Sequence, residues 1–223
     1  MKILVIGAAG MVGRKLVERL ARDGAIGAAQ ITQADLVDIV EPSAPQGAPF
    51  ATTIAAVDIG AAYVAPKLVA GEPDVIFLLA SIVSGEAESD FEKGYAVNLD
   101  GTRGIFEAIR QRHSRTDGRY RPRVLFTSSI AVFGAPFPAV IDDEYFTTPL
   151  TSYGTQKAIS ELLLADFSRR GFFDGVGIRL PTICVRPGRA NLAASGFFSN
   201  IIREPLAGRE AVLPVSENVR HWH

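Results

Sequence analysis

Two side chains four residues apart, Tyr153 and Lys157, are the strongest candidates for chemistry in this sequence. Both lie on one face of a helix if residues 152–170 are helical, as their pattern predicts. A lysine ammonium can lower the pKa of a neighbouring phenol from its usual value of about 10. The resulting phenolate could take the proton of an alcohol while a hydride leaves the same carbon. The pair therefore predicts a base for alcohol oxidation.

Ser129 is a candidate third member of this site. It follows the apolar run 123–128, which predicts a buried strand, and so lies where open parallel sheets bind ligands, at the carboxyl edge. Its hydroxyl could hold the substrate oxygen that becomes a carbonyl. Serines also end strands for purely structural reasons, so this assignment depends on the presence of Tyr153.

A glycine loop directly follows the first predicted strand and opens the first predicted helix. Glycine lets the backbone turn sharply and approach a pyrophosphate closely, and a helix N-terminus offers free N–H groups to it. Spacing of this kind is weak evidence alone, but its position between a strand and a helix strengthens it. The sequence thus predicts a dinucleotide site at Gly7, Gly10, Met11, Val12 and Gly13.

Asp38 ends the second predicted strand and indicates which dinucleotide binds. An acid there can accept hydrogen bonds from the adenosine ribose and would repel a 2′-phosphate. No arginine stands among residues 39–41 to bind such a phosphate. The prediction is NAD and not NADP. Asp58 and Ile59 are candidate adenine contacts, although an ordinary turn acid explains Asp58 nearly as well.

Apolar runs of strand length alternate with amphipathic stretches, which predicts an α/β fold, a Rossmann-like doubly wound parallel sheet. Strands are expected at 2–6, 34–39, 52–57, 74–80, 123–128 and 176–180. Helices are expected at 11–23, 60–70, 89–112, 152–170 and 195–206. The β-α alternation fails after residue 180. We therefore expect an NAD-binding domain over 1–180 and the start of a substrate-binding lobe over 181–223.

The composition is that of an ordinary globular protein. Of 223 residues, 48% are hydrophobic and 21% are charged, and the net charge is −1. That balance gives no reason to expect a nucleic-acid or membrane partner. A single cysteine excludes a disulfide within the chain, which fits a cytoplasmic location. The pair His221 and His223 lacks the further ligands that zinc needs, so no metal is expected.

Four motifs together resemble the extended short-chain dehydrogenases/reductases, the NAD-dependent epimerase/dehydratase family. They are GAAGMVG at 7–13, NLDGT at 98–102, SSIAVFG at 128–134 and YGTQK at 153–157. The resemblance implies Ser129, Tyr153 and Lys157 as a catalytic triad, with Lys157 also holding the nicotinamide ribose. It implies further cofactor contacts at Ala80, Asn98 and Pro181. Family members often have His-x-Ala-Ala after the fourth strand, whereas this chain reads Leu-Leu-Ala-Ser at 78–81.

The stretches 83–88, 152–158, 179–188 and 201–206 resemble those family members that oxidise the C2 hydroxyl of a small sugar acid with NAD. Donors for the acid's carboxylate would be Ser84, Arg186 and Asn191. The resemblance also implies a homodimer formed through helices 89–112 and 152–170, and a substrate lobe that is truncated here, because such proteins usually continue further.

Three other functions are compatible with parts of this sequence. A nucleotide-sugar epimerase would use the same triad but recycle a tightly bound NAD. A dehydratase is less favoured, because Ile130 and Ala131 follow Ser129 where elimination would want acids. A non-enzymatic NAD sensor is less favoured still, because both Tyr153 and Lys157 are present.

Overall fold

A six-stranded parallel sheet organises the protein, whose computed structural model describes residues 1–188, 192–216 and 218. Its strands are β1 (Lys2–Ile6), β2 (Gln33–Asp38), β3 (Ala51–Ala56), β4 (Val75–Leu78), β5 (Arg123–Ser129) and β6 (Asp174–Leu180). The spatial order is β3-β2-β1-β4-β5-β6. This is the order of a dinucleotide-binding sheet, in which the strand order reverses beside β1. The predicted fold class is confirmed.

Helices connect the strands and cover parts of the sheet. They are α1 (Met11–Asp23), α2 (Val64–Val69), α3 (Ser84–Ser89), α4 (Phe91–Gly94), a π-helix (Tyr95–Gly101), α5 (Thr102–Arg115), α6 (Ser152–Arg169) and α7 (Phe197–Leu206). Short 3-10 helices span Ile130–Val132 and Ala194–Gly196, and Ala25–Ile26 pairs with Ala29–Gln30 as a small antiparallel ladder.

The core lies on both faces of the central strands. Leu4 and Ile6 of β1 belong to the apolar cluster that contains Phe106 of α5, whereas Ile3 and Val5 belong to the cluster that contains Val17 of α1. Alternate residues of one strand therefore enter two different apolar layers. This explains why β1 is a continuous apolar run and not an alternating one.

The helix expected at 89–112 is instead a series of segments running from residue 84 to residue 115. Asp90 interrupts the series with a non-helical backbone, and its carboxylate accepts a hydrogen bond from the Lys93 N–H. Aspartate competes with the helix in this way because its side chain satisfies backbone donors. The π-helix that follows carries Asn98, a residue of the predicted cofactor site.

Leu192 and Ala194 contact the start of α3. Gly85 N–H donates to the Leu192 carbonyl at 3.0 Å, and Ala194 N–H donates to the Ser84 hydroxyl at 3.0 Å. Gly85 allows this contact because a Cβ there would stand 2.1 Å from the Leu192 oxygen. The predicted start of the second lobe is therefore attached to the carboxyl edge of the sheet, beside the candidate site.

Within the described part of the chain, no helix is long and apolar enough to cross a membrane. Nor do these residues contain a group of three or more His, Cys, Asp or Glu that could hold a metal ion. His221 and His223 lie outside the described residues.

Candidate active site

The N-terminus of α6 packs tightly onto the 3-10 helix that follows Ser129. The Thr151 hydroxyl accepts a hydrogen bond from the Gly154 N–H at 3.0 Å and so caps α6. A Cβ on Gly154 would stand 2.2 Å from the Ala131 carbonyl oxygen. Only glycine permits this approach, which places the first turn of α6, with Tyr153, against the carboxyl end of β5.

Lys157 is buried, with 2% of its surface exposed, and its Nζ donates to the Thr127 carbonyl oxygen at 2.8 Å. The same nitrogen lies 4.8 Å from the Phe126 ring centroid and 5.6 Å from that of Tyr153. Burial lowers the pKa of Lys157 to about 7, and the negative charge of Glu161 opposes this shift. An amine this far from water gains and loses its proton near neutral pH.

Tyr153 faces two serine hydroxyls. Burial raises the pKa of the Tyr153 phenol, whereas hydrogen bonding to Ser129 and to Ser81 lowers it. The Ser129 hydroxyl also accepts a hydrogen bond from the Ala131 N–H at 3.1 Å, which fixes its position. The structure therefore brings together the three residues of the predicted triad and adds Ser81.

Ser81 was missed as a site residue because a serine after a strand is common and usually structural. One signal was available: Ser81 follows β4 and Ser129 ends β5, and these neighbouring parallel strands end at the same edge of the sheet. In the sequence, Ser81 stands out only because it replaces the last alanine of the His-x-Ala-Ala motif that many family members have.

The glycine loop has the geometry expected of a phosphate cradle. Gly7 has a φ of 99°, and a Cβ on it would stand 2.5 Å from the Ala80 nitrogen. A Cβ on Gly13 would stand 2.0 Å from the Gly7 carbonyl oxygen. Gly10 precedes α1, and no side chain caps that helix terminus. The N–H groups of the first turn, which includes Met11 and Val12, thus receive no hydrogen bond from a capping side chain.

Asp38 lies at the end of β2 beside this loop, where its carboxylate accepts a hydrogen bond from the Ala9 N–H at 2.9 Å. Its second oxygen accepts from the Ile39 N–H at 2.7 Å. Since a carboxylate oxygen accepts more than one hydrogen bond, ribose hydroxyls could still be bound. The role of Asp38 toward the ribose stays a prediction.

Comparison with known proteins tests this interpretation. Residues 3–223 match the NAD dependent epimerase/dehydratase family. The chain belongs to this family. Its match confirms the predicted NAD cofactor, and the Gly7–Gly13 loop with Asp38 supplies a site that fits it.

Two curated relatives in this family are D-erythronate dehydrogenases. The Haemophilus influenzae protein is 42% identical over 224 residues, and the Cupriavidus necator protein is 43% identical over 227 residues. Each match covers 100% of this chain and 67% of the relative, so the chain spans about two thirds of their length. The stretches singled out above resemble this enzyme, and the two relatives confirm that resemblance. They also confirm the predicted class, an NAD-dependent oxidoreductase.

Solved structures agree on the fold. A nucleoside-diphosphate-sugar epimerase from Agrobacterium tumefaciens superposes with a TM-score of 0.94 at 65% identity, covering 100% of this chain and 65% of its own. The Thermus thermophilus UDP-glucose 4-epimerase bound to NAD reaches a TM-score of 0.74 at 19% identity, covering 94% and 64%. At that identity the second likeness shows the fold alone.

Asn98, a predicted cofactor residue, is fully engaged with protein. Its Oδ1 accepts from the Ile82 N–H and the Ser81 hydroxyl, each at 2.9 Å, and its Nδ2 donates to the Ile82 carbonyl and to Gln156 Oε1. The residue is 1% exposed. In this structure Asn98 thus connects the loop after β4 to α6.

Three other predicted cofactor contacts, Asp58, Ile59 and Ala80, also have structural roles. Asp58 Oδ1 accepts from the Gly60 N–H at 2.9 Å, as an ordinary turn acid does. Ile59 is buried, and a Cβ on Gly101 would stand 3.0 Å from its carbonyl oxygen. The backbone of Ala80 extends the sheet, with its N–H donating to the Ile6 carbonyl at 2.9 Å.

The predicted substrate donors lie around the chain that follows β6. Ser84 accepts from the Ala194 N–H, and Arg186 N–H donates to the Ser199 hydroxyl at 3.0 Å. Pro181 directly follows β6 and is partly buried. Asn191 lies outside the described residues.

A cavity of about 940 Å³ lies at the other end of the sheet, near the amino ends of β4, β5 and β6. Its walls include Phe77, Tyr120, Leu125, Arg123 and Val176. None of the triad residues lines it. In open parallel sheets ligands bind at the carboxyl ends of the strands, the edge where Tyr153 lies, and not at the end that contains this cavity.

Proposed function

We propose that this protein oxidises the C2 hydroxyl of a small sugar acid, with D-erythronate as the first candidate and NAD as the hydride acceptor. The observation that carries the proposal is the cluster of Tyr153, Ser129 and the buried Lys157 at the carboxyl edge of the sheet. Such a cluster suits removal of a proton from an alcohol.

The cofactor would be held by groups at the carboxyl ends of β1 and β2. The first turn of α1 and the loop Gly7–Gly13 would bind the pyrophosphate, and Asp38 the adenosine ribose. Lys157 would hold the nicotinamide ribose, and the loop at Ala80 would lie along the cofactor. When bound, NAD supplies the acceptor for the hydride.

The proton moves through the protein's own residues. Ser129 would donate a hydrogen bond to the substrate hydroxyl oxygen and so hold it near Tyr153. Tyr153, as the phenolate, would take the hydroxyl proton. In its protonated form Lys157 would lower the energy of that phenolate through its positive charge, which its burial leaves poorly screened by water.

The substrate class comes from the two dehydrogenase relatives, which act on D-erythronate by their names. An acid would need donors for its carboxylate. We propose Ser84, Arg186 and Asn191 for this role, and residues 181–223 as the start of the lobe that contains them. Ser84 retains a hydroxyl hydrogen to donate, because its bond with Ala194 uses only the oxygen.

A nucleotide-sugar epimerase is the second candidate, because the Agrobacterium tumefaciens structure at 65% identity is described as one. The same base and the same cofactor would serve, but the hydride would return to the sugar. Net reduction of NAD is therefore the property that separates the two functions.

The test is to incubate the protein with NAD and a panel of four-carbon sugar acids, and separately with UDP-sugars. Appearance of NADH absorbance with D-erythronate supports the dehydrogenase. Interconversion of UDP-sugars without net NADH, together with no reaction of any sugar acid, would overturn it in favour of the epimerase.

We also propose a homodimer formed through the segments at 89–112 and 152–170. Leu162 on α6 supports this, since 69% of its surface is exposed although it is apolar. Phe91 of α4 is 58% exposed as well.

A further inference from the structure

Ser81 occupies a position between the base and a buried amide. Its hydroxyl interacts with the Tyr153 phenol on one side. On the other side its oxygen lies 2.9 Å from Asn98 Oδ1 and 3.1 Å from the Ile82 carbonyl oxygen. A hydroxyl has one hydrogen, so Ser81 can serve only one of these acceptors at a time.

When the Ser81 hydroxyl turns toward Tyr153, Asn98 Oδ1 loses one of its two hydrogen bonds. Asn98 Oδ1 keeps a hydrogen bond from the Ile82 N–H at 2.9 Å in either case. The Asn98 side chain is also held by its Nδ2, which donates to Gln156 and to the Ile82 carbonyl. The amide therefore stays in place and partly satisfied when the Ser81 hydroxyl turns away.

We propose that Ser81 is a positioning residue for the reaction, whose hydroxyl turns from Asn98 to the Tyr153 oxygen when that phenol gives up its proton. The inference deepens the proposed function and rests on it. While Tyr153 is neutral, its O–H donates to Ser81, which donates onward to Asn98. Once Tyr153 is a phenolate it is an acceptor only, and Ser81 donates to it by rotating about its Cβ–Oγ bond.

No proton leaves Ser81 in this rearrangement, and no bond to a heavy atom breaks. The effect is a hydrogen bond from Ser81 to the phenolate oxygen, while the single hydrogen of Ser129 is donated to the substrate oxygen. A hydroxyl that donates to the phenolate favours its charged form and so lowers the pKa of Tyr153, which prepares the base to take the substrate proton. Asn98 and the π-helix that carries it thus act on the base through Ser81.

The test compares Ser81→Ala and Ser81→Thr with the unchanged protein. In Ser81→Ala the phenolate loses a hydrogen-bond donor. The apparent pKa on the acid side of the pH profile of kcat/KM should therefore rise by about one pH unit. Ser81→Thr keeps the hydroxyl and should restore the original pKa. Ser160→Ala is the matched control, because Ser160 is buried and its hydroxyl bonds the Asn98 carbonyl at 3.4 Å without contacting Tyr153.

Direct titration separates this inference from the proposed function. The phenolate absorbance of Tyr153, isolated as the difference from Tyr153→Phe in the NAD-bound protein, needs no substrate. A titration that moves up by about one unit in Ser81→Ala supports the inference even if no sugar acid is oxidised. An unmoved titration, or an equal shift in Ser160→Ala, would overturn it, while sugar-acid oxidation by the unchanged protein would still support the function.

Discussion

At the scale of single residues, Lys157 is unusual because its amine is buried and its pKa is strongly lowered. It is buried, no carboxylate of the described residues forms an ion pair with its Nζ, and its hydrogen bond is to the neutral Thr127 carbonyl. Its pKa of about 7 in the folded protein compares with 10.5 in the unfolded chain. Between these values the unfolded chain binds more protons, so folding is favoured by raising the pH.

Replacing Lys157 by Met should remove this pH dependence. Across the window from pH 7 upward, the free energy of unfolding of the cofactor-free protein should rise by up to about 1.4 kcal/mol per pH unit, and the variant should lack that rise. Urea denaturation at several pH values measures it. Lys67→Met, at an exposed lysine of α2, is the control and should keep the slope. Parallel curves for Lys157→Met and the unchanged protein would contradict the assignment.

Asp38 should determine the choice between NAD and NADP. In Asp38→Ser the carboxylate no longer repels a 2′-phosphate, and the preference for NAD, as a ratio of kcat/KM values, should fall by at least about tenfold. Asp35→Asn is the matched control on the same strand, since Asp35 bonds Thr53 within the sheet. An unchanged ratio in Asp38→Ser would show that another group discriminates between the 2′-hydroxyl of NAD and the 2′-phosphate of NADP.

The site residues that can be found from the sequence are those whose side-chain type is unusual for their place in the fold. A tyrosine and a lysine one helical turn apart, and an acid at the end of β2, stand out without coordinates. Ser81 and the structural use of Asn98 do not, because a serine and an asparagine in loops have many roles. Their roles follow only from the hydrogen bonds of Ser81 with Asn98 and with Tyr153 in the folded protein.

At the scale of elements, the contact between α6 and the 3-10 helix after β5 sets the spacing of the triad. Gly154→Ala introduces a Cβ 2.2 Å from the Ala131 oxygen and 3.1 Å from Pro149. Backbone must move to accept it, at a cost of about 1–3 kcal/mol in stability, and Tyr153 would move away from Ser129. We expect kcat to fall at least tenfold while NAD affinity is kept.

The control for this variant is Gly104→Ala in α5. A Cβ there would lie 3.6 Å from Ala65, an ordinary contact, so stability should be unchanged or improved. Equal effects of the two substitutions on kcat would contradict the role given to the α6 contact.

The bounds of β1 and α1 are those that the sequence predicts, because an apolar run, a glycine loop and Gly24 in the left-handed region all mark them. The region from 84 to 115 was less predictable. Its apolar periodicity continues across Asp90, so the pattern alone predicts one helix and misses the capping bond with which Asp90 begins α4. The small ladder at Ala25–Ile26 and Ala29–Gln30 was missed since strands this short carry no periodicity.

At the scale of the whole molecule, an assembly through α6 should depend on its exposed apolar side chains. Leu162→Glu places a charge on that surface and should convert the proposed homodimer to a monomer in sedimentation velocity. Leu206→Glu is the control, because Leu206 is 85% exposed on α7, which is not part of the proposed interface. A dimer that persists in Leu162→Glu, or is lost equally in Leu206→Glu, would contradict this interface.

The most direct test of the whole account is the rate of NAD reduction by D-erythronate, compared between the unchanged protein and Tyr153→Phe. Removing one hydroxyl group leaves the ring in place, so affinity for NAD should stay the same. Turnover should fall by about 10²–10⁴-fold, because the proton acceptor is gone. Turnover by Tyr153→Phe at the rate of the unchanged protein would contradict the claim that this tyrosine is the base.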